Sequence, residues 1–206
     1  MIELNGKKYT KLNLACSNTP HLKFPEPWLN TDIKSDIADY ICDVRNLPEE
    51  WTEKFDETRA SHVLEHLYMN EWIPALNEWV RILRPGGILR IAVPDLDIVL
   101  QCLKDGHDKK MRPAISGIKP TPVMAQIFGI GYEAPDTKNR WRHRMIFDAK
   151  SLTKLLEEQG ELEIIKVYPQ EEDPAAELGI LDDSQNQFTM CVTATKKKRR
   201  SKKEIR

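Results

Sequence analysis

Apolar positions recur along the chain at two periods, and the alternation between the two sketches a fold. Trp72, Leu76, Trp79, Val80 and Leu83 share one face of a 3.6-residue helix. Arg84-Pro85-Gly86-Gly87 halts it, because proline cannot continue the hydrogen-bond ladder and glycine accepts a left-handed turn. Ile88 to Val93 then reads as a buried strand, ended by Pro94 and followed by two acids, Asp95 and Asp97. Short strand-like runs also occur at Lys11 to Cys16, Leu29 to Ile33, Ala38 to Asp43, Phe55 to His62, Glu163 to Tyr168 and Phe188 to Ala194.

The connections are uneven. Met1 to Thr10 forms a lead-in segment or edge hairpin around Asn5-Gly6. Only twelve residues separate Cys16 from Leu29 and three are prolines, so a loop is expected there instead of a crossover helix. Asp148 is placed to cap a helix that buries Leu152, Leu155 and Leu156 and ends at Gly160. From Lys104 to Met145 the pattern dissolves into glycine, proline and basic residues, with Val123 to Phe128 alone suggesting a short helix. Segments of that length usually serve as lids or binding loops. An acidic link, Glu171 to Asp183, precedes the last strand. Strands alternating with helices imply an α/β fold with a parallel sheet and covered faces. The expected organisation is one domain over 1–195, with 104–146 as lid or substrate segment and 196–206 as a basic disordered tail.

Composition narrows the class. The chain has 206 residues, 40% of them hydrophobic and 31% charged, enough for one core in a soluble protein. No run of about 18 apolar residues exists, and Met1 to Cys16 lacks the apolar stretch of a secretory signal, so a cytoplasmic location is expected. Cys16, Cys42, Cys102 and Cys191 have no metal-binding spacing and read as reduced thiols. The net charge of −1 hides an asymmetry: Lys196 to Arg206 carries eight basic residues against one acid, and Lys104 to Arg144 nine against four. The tail reads as a polyanion-binding or solubilising segment.

Seven strands, acids after the second and third, and a hairpin-like last pair resemble the class I S-adenosylmethionine-dependent methyltransferases, most closely the type-11 domains. The likeness covers about Lys11 to Ala194 and is carried by HVLEHL at 62–67, LNEWVRILRPGGILRIAVPDLD at 76–97 and HRMIFDAKSLTKLLEEQG at 143–160. It implies a Rossmann-like, seven-stranded, mostly parallel sheet with flanking helices and an antiparallel last strand. It also implies S-adenosyl-L-methionine as cofactor, held around Asn13 and the turn Ala15-Cys16-Ser17, which stands where the family usually has Gly-Cys-Gly. Asp32 would take the ribose hydroxyls, and Ile33 beside it would also line the cofactor. Asp43 and the Val44 amide would read the adenine edge, and Ser61 and His62 would face the methyl donor. Each acid could instead cap a turn.

Methyl transfer from a sulfonium is an in-line displacement, so positioning supplies most of the acceleration and a base is needed only for some acceptors. The candidate bases are His66, His143 and Asp95, the last equally able to cap the following helix. His62, Glu65 and His66 spell the inverted zinc-protease motif, but such a site needs a long helix and a third protein ligand. No metal is therefore expected, and Glu65-His66 reads as holding the strand-helix junction. Arg140, Arg142 and Arg144 could pair with an anionic acceptor or with the acidic body of the domain. The Asn/Asp-Pro-Pro-aromatic signature of base methylation is missing after the fourth strand. The resulting expectation is a methyltransferase acting on a small-molecule or glycan-like acceptor, anionic if the arginines meet it. The rival is a degenerate, non-catalytic Rossmann-like binding protein.

Overall fold

The computed structural model describes residues 1–18, 20–105, 127, 142–177 and 188–198. A small hairpin, β1 (Ile2–Leu4) and β2 (Lys7–Tyr9), turns through Asn5 and Gly6, both at positive φ. It leads into a seven-stranded sheet of β3 (Lys11–Leu14), β4 (Trp28–Asp32), β5 (Tyr40–Ile41), β6 (Phe55–Ser61), β7 (Leu83–Pro94), β8 (Leu162–Pro169) and β9 (Thr189–Lys196). The spatial order is β5-β4-β3-β6-β7-β9-β8. β9 runs antiparallel to both its neighbours, while the pairings from β5 to β7 are parallel. The expected α/β sheet with one antiparallel strand is thus present, and the order reverses between β3 and β6, which places the ligand crevice at their carboxyl ends.

Helix α1 (Met69–Arg81) buries Trp72, Ala75, Leu76, Trp79 and Val80. Leu83, expected on that helical face, belongs to the sheet instead and pairs with Phe55. The helix ends earlier because the Ile82 carbonyl turns to the Lys54 and Phe55 amides. The turn Arg84 to Gly87, with Gly86 at φ +84°, bulges out before pairing resumes at Glu57 and Ile88. Helix α2 (Leu96–Lys104) follows β7, and α3 (Ala149–Glu158) begins at Asp148, whose carboxylate accepts from the Ser151 amide as the sequence predicts. The suggested helix at Val123 to Phe128 lies outside the described residues except for Ile127. The same holds for most of 104–146 and for 199–206. Among the described residues no helix is long and apolar enough to cross a membrane.

Strand residues alternate between two faces. One face, with Leu12, Leu14, Leu29, Ala60, Leu89, Ile91, Val93 and Val192, joins α1 and α3 in the main core. The other carries Lys11, Asn13, Asn30, Glu57, Arg59 and Arg90. Its charges are paired: Lys11 and Arg90 with Glu57, and Arg59 with Asp173. Loop residues cover this second face. As expected, the described residues of 17–27 form no crossover helix, and among them only Pro20–Leu22 makes a 3₁₀ turn. Two buried asparagines lace the loop down instead. Asn30 accepts from the Phe24 amide at 2.8 Å and donates to the Phe24 carbonyl at 2.9 Å, while Asn13 donates to the Leu22 carbonyl at 3.1 Å. Side-chain amides thereby satisfy backbone groups that a helix would have satisfied internally.

Candidate functional site

The parallel strands place Ala15, Asp32, Ser61, His62 and Asp95 along one edge of the sheet, each at or just beyond a carboxyl end. Ala15 and Ser17 both occupy the left-handed region, at φ +55° and +62°. The backbone thus takes a glycine-type turn without glycine, at a cost of roughly 1–2 kcal/mol for each residue. The turn is held on several sides. The Cys16 amide donates to the Thr31 carbonyl at 2.8 Å, the Ser17 amide to Asp32 Oδ2 at 2.9 Å, and the Ser35 hydroxyl to the Ser17 carbonyl at 2.7 Å. Burial, helped by the nearby Asp32 charge, pushes the Cys16 thiol up to about 11, so it stays protonated near neutrality.

The acids after β4 and β5 differ. Asp32 accepts one backbone amide on each oxygen, from Ser17 and Lys34, so each oxygen keeps a lone pair. Ile33 beside it is 53% exposed, an apolar plate at the edge. Asp43 is gripped by Arg45, which also reaches Glu71. The hydrogen bond from Arg45 is the main reason that the Asp43 carboxyl lies below its usual range. Val44 is buried, and its carbonyl accepts from Trp79 Nε1 at 2.9 Å. Asn13 points into the laced loop instead of the edge.

Beyond β6 the chain turns sharply at His62, another non-glycine residue in the left-handed region, at φ +53°. Its Nδ1 lies 2.9 Å from Glu65 Oε1 and its Nε2 3.2 Å from the Thr189 hydroxyl, so both ring nitrogens are engaged. Glu65, in the 3₁₀ turn Leu64–His66, is fully buried. Burial alone would raise its carboxyl, but the His62 hydrogen bond and the charges of His62, His66 and His143 outweigh it and lower the value to about 2. An ionised Glu65 can only accept, so the His62 Nδ1–H donates to it and the ring is held in place.

The segment from Arg142 to Arg144 returns to this turn. The Arg144 amide donates to the Glu65 carbonyl at 2.6 Å, and the Arg142 carbonyl lies 3.1 Å from His66 Nδ1. The His66 and His143 rings meet edge-on with centroids 4.8 Å apart, and the Arg144 guanidinium stacks 4.1 Å over the Tyr68 ring. Arg142 is exposed. Arg140 lies outside the described residues. Asp95 caps α2, accepting from the Asp97 amide at 2.9 Å, and burial raises its carboxyl. Ser61 ends β6, paired with Ala92.

Sequence reasoning missed Thr189 as the partner of His62, since nothing in a strand sequence marks one threonine among several. It read Glu65 as structural, and the His-x-x-Glu-His letters were the available signal that this acid is surrounded by imidazoles. It also missed the Arg59–Asp173 pair, whose members lie far apart in the chain.

Residues 6–91, somewhat under half of the chain, match the family model described as methyltransferase domain. The chain has the class I methyltransferase fold. The resemblance drawn from the motifs is borne out, and solved structures extend the fold to nearly the whole length of the methyltransferase-like chain. A S-adenosylmethionine-dependent methyltransferase from Methanosarcina mazei is similar at 13% identity over 94% of each chain, with a TM-score of 0.56. One from Mesorhizobium loti matches at 15% identity over 92% of each chain, TM-score 0.52. The 1,6-didemethyltoxoflavin-N1-methyltransferase of Burkholderia thailandensis, solved with 1,6-didemethyltoxoflavin and S-adenosylhomocysteine, matches at 13% identity over 92% of this chain and 72% of its own, TM-score 0.56. No curated protein matches the sequence.

Proposed function

We propose that the protein transfers a methyl group from S-adenosyl-L-methionine to a small-molecule or glycan-like acceptor of anionic character. The observation that carries this reading is the left-handed Ala15–Ser17 turn bound through its Ser17 amide to Asp32. Strained non-glycine backbone persists only where the surroundings over-determine it, and such positions cluster at ligand sites.

The donor set fits the cofactor. Asp32 has a lone pair left on each oxygen for two vicinal hydroxyls, and the exposed Ile33 offers a flat apolar neighbour for a purine. Asp43 has one lone pair left on Oδ2 beside Arg45, and the Val44 amide follows it. When bound, the cofactor supplies a methyl group on a positively charged sulfur. The protein's own contribution is to fix the turn after β3, orient His62 through Glu65, and exclude water with the segment that returns at Arg142 to Arg144. His66 and His143 are the candidate proton acceptors at the cleft, whereas Asp95 is occupied as a helix cap. Arg142 and Arg144, together with Arg140 outside the described residues, favour an acceptor bearing carboxylate or phosphate.

The rival reading, a binding protein without catalysis, is favoured by one feature: Ala15 and Ser17 add side chains where the family has bare backbone. Calorimetry with S-adenosylmethionine and S-adenosylhomocysteine separates the two. Saturable binding supports the transferase, and absence of heat at millimolar ligand with folded protein supports the rival. The soluble cytoplasmic location and the polyanion contact of the tail are carried as part of this proposal, on composition alone.

A further inference from the structure

We propose that Glu65, His66 and His143 form a binding site for a divalent transition-metal ion of the zinc class, with one coordination position left open. Glu65 is completely buried, and only one of its oxygens is used: Oε1 meets His62, while Oε2 has no hydrogen-bond partner. A bare carboxylate oxygen in the interior is costly unless a positive charge faces it. One ligand atom each from Glu65, His66 and His143 lies within 4.8 Å of the other two.

The tautomer of His66 suits the role. Its Nδ1 lies 3.1 Å from the Arg142 carbonyl, a contact that only an N–H can make, which leaves Nε2 as the nitrogen able to ligate. A ligating imidazole that donates its other N–H to a backbone carbonyl is the usual outer support of a metal-bound histidine. Glu65 has the corresponding support from His62, whose two nitrogens are already engaged by Glu65 and Thr189 and which therefore stands outside the site. The sequence letters gave two histidines and an acid on one short turn; the fold exchanges the first histidine for His143 from the distant returning segment and so provides the third ligand.

Two imidazole nitrogens and one carboxylate oxygen suit zinc, cobalt(II) or iron(II) better than magnesium or calcium, which take all-oxygen shells. At metal–ligand distances of about 2.0–2.2 Å the ligand atoms of a tetrahedral site stand roughly 3.4 Å apart. The three ligand atoms, within 4.8 Å of one another, would draw together on the ion as it binds. Three protein ligands leave a fourth position for water or an acceptor oxygen. With the ion bound, His66 and His143 serve as ligands and not as free bases.

The test uses the full chain, stripped with chelator and titrated with Zn²⁺ by calorimetry and with Co²⁺ by visible absorption. One equivalent should bind, with the absorption of a low-coordinate nitrogen and oxygen site. His66→Ala and His143→Ala should each weaken binding by at least ~10-fold while leaving the metal-free unfolding midpoint near that of the wild type. Glu65→Gln should do the same to binding; if it fails to fold, the two histidine variants still decide. Lack of saturable one-to-one binding, or binding unchanged in either histidine variant, overturns the proposal and assigns any uptake to thiols or other histidines. Since no cofactor is present in the assay, its outcome is independent of the methyl-transfer reading.

Discussion

The Ser17 amide donates to Asp32 Oδ2 at 2.9 Å, and this bond joins the ends of β3 and β4 at the point where a ligand would cross them. A single carboxylate thus does two tasks. It stabilises a left-handed turn that the side chains at 15 and 17 disfavour, and it still presents lone pairs outward.

The turn should tolerate glycine and reject branched residues. Ala15→Gly relieves roughly 1–2 kcal/mol of left-handed strain against about 0.4–1 kcal/mol of added chain entropy, so its unfolding free energy should be unchanged or up to about 1.6 kcal/mol higher. Ala15→Val should lose about 1–3 kcal/mol, because a β-branched residue at φ +55° is a true outlier. Urea unfolding of the two variants provides the comparison; equal stability would mean that the turn relaxes freely.

Asn30 stands in for a missing crossover helix, and its loss should show as a stability defect. Asn30→Leu removes partners from both the Phe24 amide and carbonyl in a buried setting. At about 1–3 kcal/mol for each stranded group, a total of several kcal/mol is expected in chemical denaturation. A variant of wild-type stability would show that the loop finds other partners.

The Arg59–Asp173 pair, 3% and 1% exposed, should be sensitive to the loss of either member and tolerant to the loss of both. Arg59→Met alone should cost about 3–5 kcal/mol, and Arg59→Met with Asp173→Leu much less. Burial would raise the Asp173 carboxyl, but the Arg59 charge outweighs it and holds the group below its usual range. A depressed folded value means stability that is complete above the unfolded value near ~3.9 and is lost as pH falls through the folded one. Stability measured at pH 7 and pH 3 should therefore fall less in the double variant than in the wild type. An equal fall would place the acid sensitivity elsewhere.

The sheet was legible from sequence because a buried strand writes itself as a short apolar or alternating run, as at Ile88 to Val93 and Phe55 to His62. The cap at Asp148 was legible because capping is local. Leu83 was misplaced since its spacing fits the helix, and only pairing with Phe55 draws it into the sheet. The second face of the sheet escaped notice for the same reason: Glu57, Arg59 and Arg90 look like solvent positions until the fold turns them toward one another and toward Asp173. At the candidate site, the resemblance singled out the turn at Ala15, and the sequence put Asp32 and His62 at strand ends, where the structure has them. It could not show that Asp43 is held by Arg45 or that His143 comes back to His66, because both depend on contacts set by the chain's path in space.

The central claim is that Asp32 and the Ala15–Ser17 turn hold the cofactor. The most direct measurement is calorimetric titration of S-adenosylhomocysteine into the wild type and into Asp32→Ala, with circular dichroism to verify the fold of each. Saturable binding by the wild type, weakened by roughly 1–3 kcal/mol in Asp32→Ala, is the predicted result. Equal affinity in the two proteins, or no binding by a folded wild type, would contradict it.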